Sequence, residues 1–145
     1  MPNNCVFCQI LSGALPAHIV FEDDHSLAFL DQRPLFPGHC LLVPREHHET
    51  LQTLPGKLIE PLFLNAQVLA RAVEKAMGAE GIFVGINNRV SQSVPHLHIH
   101  VVPRRRQDGL RGFFWPRRPY EGEQAAVQAC GAIRATLAEL ASETA

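Results

Sequence analysis

The stretch Pro95-His96-Leu97-His98-Ile99-His100-Val101-Val102-Pro103 carries the strongest structural signal in this chain. Its histidines alternate with aliphatic residues, and successive side chains of a β-strand point to opposite faces. We therefore predict a strand from Leu97 to Pro103 with three imidazoles on one face and apolar side chains on the other. Successive imidazoles lie about 6.6 Å apart on such a strand, at about 3.3 Å per residue. One ion can therefore bind two neighbours, whereas binding all three would strain the strand, so we expect the histidines to have different roles.

The segments around this strand indicate an α+β fold with a mainly antiparallel sheet. Strands come before and after one long helix instead of alternating with helices, which does not fit a doubly wound sheet. No glycine-rich phosphate loop of the Rossmann or P-loop type is present. Periodicity and turn residues predict the remaining elements: a short helix over Cys5–Leu11, strands over Ile19–Glu22, Ser26–Leu30, His39–Val43 and Gly81–Asn87, a long helix over Leu58–Ala76, and a C-terminal helix over about 122–142.

The composition limits the possible classes of protein. The chain has 145 residues, 46% of them hydrophobic, and a formal net charge of −1, which excludes a disordered chain and one that binds nucleic acid by charge alone. No apolar run approaches the about 20 residues of a membrane span, and the N-terminus does not resemble a signal peptide. We therefore predict a cytoplasmic protein that does not engage a membrane.

The four cysteines fall into two groups. Cytoplasmic proteins of this size rarely keep disulfides, and Cys40 and Cys130 lie in apolar patterns, so we expect both to be buried. Cys5 and Cys8 form a C-x-x-C pair, which supplies two of the four ligands of a zinc site but is a weak signal alone.

The histidine stretch resembles the signature His-x-His-x-His-x-x, with apolar x, of the histidine triad (HIT) family of nucleotidyl hydrolases and transferases. The resemblance implies a single HIT domain over 1–145, with its core at about 5–104, a five-stranded antiparallel sheet, one long helix and a homodimer. Other stretches match the family in the same order: Cys5–Ile10, Phe21–Asp24, Leu27–Asp31, Pro37–Pro44 and Gln92–Val94.

The resemblance implies cleavage at the α-phosphate of a nucleoside phosphoramidate or dinucleoside polyphosphate through a nucleotidyl-histidine. His98 matches the nucleophile, and its other ring nitrogen must then donate to a fixed acceptor, for which we expect a backbone carbonyl. By the same match, His39 and His100 face the phosphate or orient its neighbours. Gln92 and Ser93 match residues that contact the phosphate and the leaving group.

For the nucleoside, Asp31 matches the carboxylate that binds the ribose hydroxyls. The resemblance also assigns an apolar group to the base pocket, although such spacing fits a core equally well; its members are Phe7, Ile10 and Phe29. Asn87 matches an asparagine near the phosphate or ribose. The segment 87–92 is shorter than the family pattern and lacks its glycines.

In zinc-bearing relatives the C-x-x-C pair is completed by two histidines, and the matching residues here are His47 and His96, with His48 as the alternative to His47. The resemblance thus implies one structural zinc per chain, held by Cys5, Cys8 and two histidines, and no organic cofactor.

Six arginines occur within positions 104–118, in the same stretch as Phe113–Trp115. A positive rim beside the phosphate site would attract anionic substrates, although a solvated loop fits as well. Two other functions stay open. One is a nucleotide-binding regulatory module with little turnover, and the other is a zinc-organised protein that binds nucleic acid. We expect a nucleotide, and not a nucleic acid, to be the partner of this chain.

Overall fold

The computed structural model describes residues 4–111 and 116–144, without the side chain of Thr144. Phe113–Trp115, predicted to stack on a base or a partner subunit, lie outside the described residues. The chain divides into two compact units, residues 1–108 and 109–145. The family-like core predicted over 5–104 falls within the first unit.

A five-stranded antiparallel sheet forms the centre of the first unit, which confirms the predicted α+β fold. In chain order the elements are α1 (Val6–Leu11), β1 (Ile19–Glu22), β2 (Ser26–Leu30), β3 (Cys40–Pro44), a 3₁₀ turn (Leu51–Thr53), α2 (Gly56–Ala76), β4 (Gly81–Gly85) and β5 (Ile99–Arg104). The spatial order of the strands is β1-β2-β3-β5-β4. Helix α2 covers one face of the sheet, and helix α1 packs on the other.

Helix α2 covers one face of the sheet with apolar residues spaced one or two turns apart. Leu62, Ala66, Leu69 and Val73 are buried in one cluster with the aliphatic side chains of β3 and β5. Burial of a leucine side chain stabilises the folded state, and we expect Leu62→Ala to lower the free energy of unfolding by about 2–5 kcal/mol.

Helix α1 covers the opposite face, where Phe7 and Ile10 pack on Leu27, Phe29 and Leu41. The histidines of the 95–103 stretch lie on this second face. The sheet therefore has two covered faces, and the chemistry lies under α1.

The histidine stretch differs from its prediction at its start. The paired strand begins at Ile99, not Leu97, because the Leu97 N–H donates to the His48 carbonyl (2.7 Å) instead of to a strand neighbour. His96 and His98 are 0% and 3% exposed. The imidazole face is thus a buried site and not a solvated strand surface.

The second unit contains α3 (Glu123–Thr144). Its apolar residues, among them Val127, Ile133 and Leu137, are more than half exposed. Cys130 is also exposed, so its predicted burial is wrong: among the described residues of this unit, no other helix or strand covers the apolar side of α3. Cys40, by contrast, is 2% exposed, as predicted. Among the described helices, none has the length and apolar character needed to cross a membrane.

Candidate active site and metal cluster

A cavity of about 800 Å³ opens beside α1 and above the histidine face of the sheet. The structure brings seven of the predicted site residues to its wall: Phe7, Ile10, Phe29, Asp31, Ser93, His98 and His100. Apolar side chains of α1 and β2 line the cavity together with the two histidines, and the ring of Phe7 packs edge-on against that of His98 at a centroid distance of 5.0 Å. The cavity thus places apolar surface directly beside the imidazoles.

The backbone fixes which nitrogen of His98 carries the proton. The Nδ1 atom lies 2.8 Å from the carbonyl oxygen of His96. A carbonyl only accepts hydrogen bonds, so Nδ1 is protonated and the neutral ring keeps its lone pair on Nε2. This is the backbone-carbonyl contact expected from the sequence. It leaves His98 with one unprotonated ring nitrogen, as a nucleophile requires.

A backbone amide fixes the proton of His39 in the opposite way. The N–H of Leu35 donates to Nδ1 of His39 (3.0 Å), so the proton of the neutral ring is on Nε2. That Nε2–H faces Nδ1 of His100 at 3.0 Å and the carboxylate of Asp31 at 3.6 Å. His100 therefore accepts at Nδ1 and carries its own proton on Nε2.

The pKa of each of these three rings is lowered from its ordinary value, which favours the neutral imidazole. Burial lowers the pKa of His100 from 6.5 to about 4, with further lowering by His98 and His39 and an opposing effect of Asp31. Burial also lowers the pKa of His98 and of His39, against the raising effect of Asp31. Neutral imidazoles keep the lone pairs that the hydrogen bonds assign to them.

Next to this group lies a compact cluster of Cys5, Cys8, His47 and His96, whose ligand atoms are all within 4.8 Å of one another. The sulfur-to-nitrogen distances are 3.3 Å from Cys8 to His47 and 3.5 and 3.6 Å from the two cysteines to His96. In a tetrahedral zinc site with bonds of about 2.3 Å to sulfur and 2.0 Å to nitrogen, these separations are about 3.5 Å. The spacing of the donor atoms thus fits zinc.

Protonation in this cluster also suits a metal. Nε2 of His96 donates to the Pro44 carbonyl (2.9 Å), which leaves the Nδ1 lone pair directed at the two sulfurs. Burial and the neighbouring Cys5 raise the pKa of the Cys8 thiol to about 11, and a bound cation would replace that proton. His47 belongs to the cluster, whereas His48 pairs with Glu46 at 3.1 Å.

Asp31, His39 and His100 form a second group with ligand atoms within 4.8 Å, but their protons do not suit a metal. A metal on Nε2 of His39 would require the ring proton on Nδ1, where the Leu35 N–H already points. This group is therefore better described as a hydrogen-bonded pair of histidines beside a carboxylate.

Three predicted catalytic or nucleotide-binding residues do not line the cavity: His39, which lies behind His100 as described above, Gln92 and Asn87. Both ends of the Gln92 amide bind backbone groups of residues 49 and 89, and Gln92 does not line the cavity. Asn87 does not line it either. The Gln92 amide is thus hydrogen-bonded to backbone and not to the histidine group.

Three of the six arginines expected to form a positive rim, Arg104, Arg105 and Arg106, have partners in the first unit and do not line the cavity. Arg104 pairs with Asp108 and Arg106 with Glu80, and Arg105 binds the carbonyls of residues 77 and 78 at the end of α2. In the strand register Arg104 lies opposite Gly81, at the other end of β5 from His100. Arg33 lines the cavity instead, and the sequence pattern did not single it out.

Backbone groups are the other functional atoms that the sequence did not reveal. The Leu35 N–H and the Pro44 carbonyl set the protons of His39 and His96. Every residue carries such groups, so no side-chain pattern identifies the ones that matter.

The chain is similar to several known proteins. The HIT domain family model matches residues 12–107. An adenylylsulfatase of Arabidopsis thaliana is 35% identical over 112 residues, 76% of this chain but only 57% of that protein. An adenosine 5′-monophosphoramidase of Schizosaccharomyces pombe is 34% identical over 123 residues, 83% of this chain and 90% of that protein. The crystal structure of a zinc-bound histidine triad family protein from Mycobacterium smegmatis is 36% identical, covers 97% of each chain and has a TM-score of 0.70.

Proposed function

The chain belongs to the HIT domain family, and on that premise we propose that it is a nucleotidyl hydrolase or transferase that acts at the α-phosphate of a nucleotide. The observation that carries this proposal is the Nε2 lone pair of His98, left unprotonated because Nδ1 is held by the His96 carbonyl. This ring lines a cavity that is also lined by many apolar side chains, which suits a base beside a reacting phosphate.

The substrate we propose is a nucleoside phosphoramidate or a dinucleoside polyphosphate. The names of two relatives, an adenylylsulfatase and an adenosine 5′-monophosphoramidase, support an adenosine nucleotide with an exchangeable group on its phosphate. Phe7, Ile10 and Phe29 would contact the base, and Asp31 would accept from the ribose hydroxyls.

The reaction would proceed in two displacements. Nε2 of His98 attacks the α-phosphorus, the N–P bond forms, and the bond to the leaving group breaks. The positive charge on the His98 ring is stabilised by its Nδ1–H bond to the His96 carbonyl. Water then attacks phosphorus, the N–P bond breaks, and the nucleoside monophosphate leaves with His98 restored.

His100 would stabilise the phosphoryl oxygens through its Nε2–H, as a preorganised donor. Its Nδ1 is occupied by His39, which keeps the proton of His100 on the nitrogen that is free for substrate. Ser93, on the cavity wall, would supply a second neutral donor. His39 would orient His100 without contacting the substrate.

We also propose that Cys5, Cys8, His47 and His96 hold one structural zinc. With four protein ligands a zinc ion has no open position for water, so its contribution is to hold the fold. His96 would then connect the two sites, because its side chain would bind the metal while its carbonyl accepts from Nδ1 of His98. The zinc-bound relative from Mycobacterium smegmatis supports this assignment.

A homodimer is the proposed assembly. Strand β4 is at the edge of the sheet, and the side of α2 opposite the core exposes Leu64 and Val68 at 54% and 55%. Sedimentation velocity should give a dimer for the unmodified chain and a monomer for Leu64→Glu. A monomeric unmodified chain would overturn the assembly.

Trapping the intermediate tests the function. After brief incubation with an adenosine phosphoramidate labelled at the α-phosphorus, the protein should carry acid-labile label, and His98→Ala should carry none. His25→Ala is the matched control, because His25 is exposed and outside the cavity, and it should label normally. Equal labelling of His98→Ala would refute the mechanism.

The trapping experiment also tests one rival function, because a regulatory module would bind nucleotide without acquiring label. The second rival function requires a binding measurement. A nucleic-acid-binding protein would bind oligonucleotides in a salt-dependent manner, but the acidic partners of Arg104 and Arg106 leave this reading with little support.

A further inference from the structure

We propose that Gln92 is a positioning residue, a latch that holds the loop 86–95 so that Ser93 faces the histidines, and that it does not contact the phosphoryl group. The proposal rests on the nucleotidyl-transfer function proposed above. It assigns to Gln92 a different role from the one that the family resemblance implies.

The first argument is the hydrogen bonding of the Gln92 amide. Its Oε1 accepts from the Arg89 N–H at 2.7 Å, and its Nε2 donates to the Glu49 carbonyl at 2.6 Å. Both ends of the amide thus bind backbone, one within the loop and one on the segment before α2. To reach a phosphate in the cavity, this side chain would have to give up both bonds.

The second argument is the backbone that the latch holds. Arg89 and Ser91 have φ values of 71° and 60°, in the left-handed region that residues with a Cβ adopt at a steric cost. Glycine would adopt this left-handed backbone conformation without steric cost, but residues 86–95 include no glycine. A loop of this conformation needs contacts from outside it to persist.

Asn88 supplies a second brace of the same kind. Its Oδ1 accepts from the Leu51 N–H at 2.8 Å, so Asn88 and Gln92 anchor the loop to neighbouring positions of one segment. Arg89 and Ser91, the strained residues, lie between these two anchors. The pair of anchors encloses the part of the loop that would otherwise relax.

The consequence for the active site comes through the next residue. Ser93 lines the cavity together with His98 and His100, whereas Gln92 does not. Release of the latch would let Ser91 return to negative φ and would move Ser93 away from the histidines. Gln92 would thereby act on turnover through Ser93.

Rescue by glycine tests this role directly. Gln92→Ala should lower kcat by roughly 10- to 100-fold, the effect of a small misplacement of a catalytic group, with little change in KM because the base and ribose contacts remain. Adding Ser91→Gly to Gln92→Ala should restore most of kcat, since glycine follows the same backbone course without the latch. Ser91→Gly alone is the control and should leave kcat unchanged.

A phosphate contact would give the opposite result. If Gln92 touches the phosphoryl group, Ser91→Gly cannot replace it, and the double variant will be as slow as Gln92→Ala. That outcome would overturn the proposal.

Limited proteolysis provides a readout that does not depend on turnover. Trypsin cleavage after Arg89, measured by mass spectrometry relative to cleavage after Arg106, should be faster in Gln92→Ala than in the unmodified chain. If the unmodified chain turns over no nucleotide, the proposed function fails, but faster cleavage still supports the latch. Unchanged cleavage would overturn the latch whatever the activity.

Discussion

The two clusters of potential metal ligands in the described part of the first unit have similar chemistry and opposite hydrogen bonding. Cys5, Cys8, His47 and His96 form one, and Asp31, His39 and His100 form the other. In the first, the Pro44 carbonyl binds Nε2–H of His96 and turns a lone pair toward two sulfurs. In the second, the Leu35 N–H fills Nδ1 of His39 and puts a proton between the side chains. Backbone contacts thus favour a metal in one cluster and a hydrogen-bonded relay in the other.

Removing a thiolate from the first cluster should have the largest effect. Cys8→Ser should lose stoichiometric zinc and unfold at a temperature lower by more than about 10 °C, because a closed zinc site contributes directly to folding. Metal analysis and calorimetry measure both effects. Cys130→Ser is the control, since Cys130 is exposed on α3. Full zinc content in Cys8→Ser would contradict the assignment.

Removing one backbone N–H should blur the difference between the clusters. Leu35→Pro deletes the donor to Nδ1 of His39, so the His39 proton can move to Nδ1 and Nε2 becomes a ligand beside Asp31. We expect the zinc content under excess zinc to rise from one to two per chain and turnover to fall roughly 10- to 100-fold. Leu35→Ala is the control, because it keeps the backbone N–H and should bind one zinc ion per chain. If both variants bind one zinc, the Leu35 N–H does not exclude metal from this cluster.

The pH dependence should show a smaller effect specific to the relay. His100 faces His39, His98 and Asp31 and has a pKa of about 4, against an ordinary 6.5, so it stays neutral as pH falls through 6.5. Burial also lowers the pKa of the proposed nucleophile His98, so we expect the acid limb of kcat to lie below pH 6.5. The free energy of unfolding should decline as the pH falls from 6.5 to about 4. In this range a histidine of the unfolded chain takes up a proton, whereas His100 of the folded chain does not. An acid limb of kcat at 6.5 would contradict the assigned neutrality of His100.

The fold was largely accessible from local patterns. The bounds of β1 and β2 match their predictions, because tight turns and short apolar runs define them locally. The start of β5 does not, since the contact of Leu97 with His48 is 49 residues distant in sequence. The predicted burial of Cys130 was wrong for a related reason. Helical periodicity shows which residues share a face, but not whether anything covers that face.

The site divides in the same way. Residue type and spacing alone singled out only the C-x-x-C pair of Cys5 and Cys8. It was the family resemblance that added His47 and His96, which the structure places in the same cluster. Residue type and spacing could not choose between metal and relay at His39, because that depends on a backbone amide four residues away in a loop. The same holds for Gln92, whose partners are backbone groups of two separate segments.

The nitrogen-bound protons of the histidines test the central claim most directly. Long-range ¹H–¹⁵N NMR of ¹⁵N-histidine-labelled protein distinguishes Nδ1–H from Nε2–H in each ring. We predict Nδ1–H for His98 and Nε2–H for His39, His96 and His100. A spectrum with Nε2–H on His98 or Nδ1–H on His39 would contradict the assignment of a nucleophile and a relay.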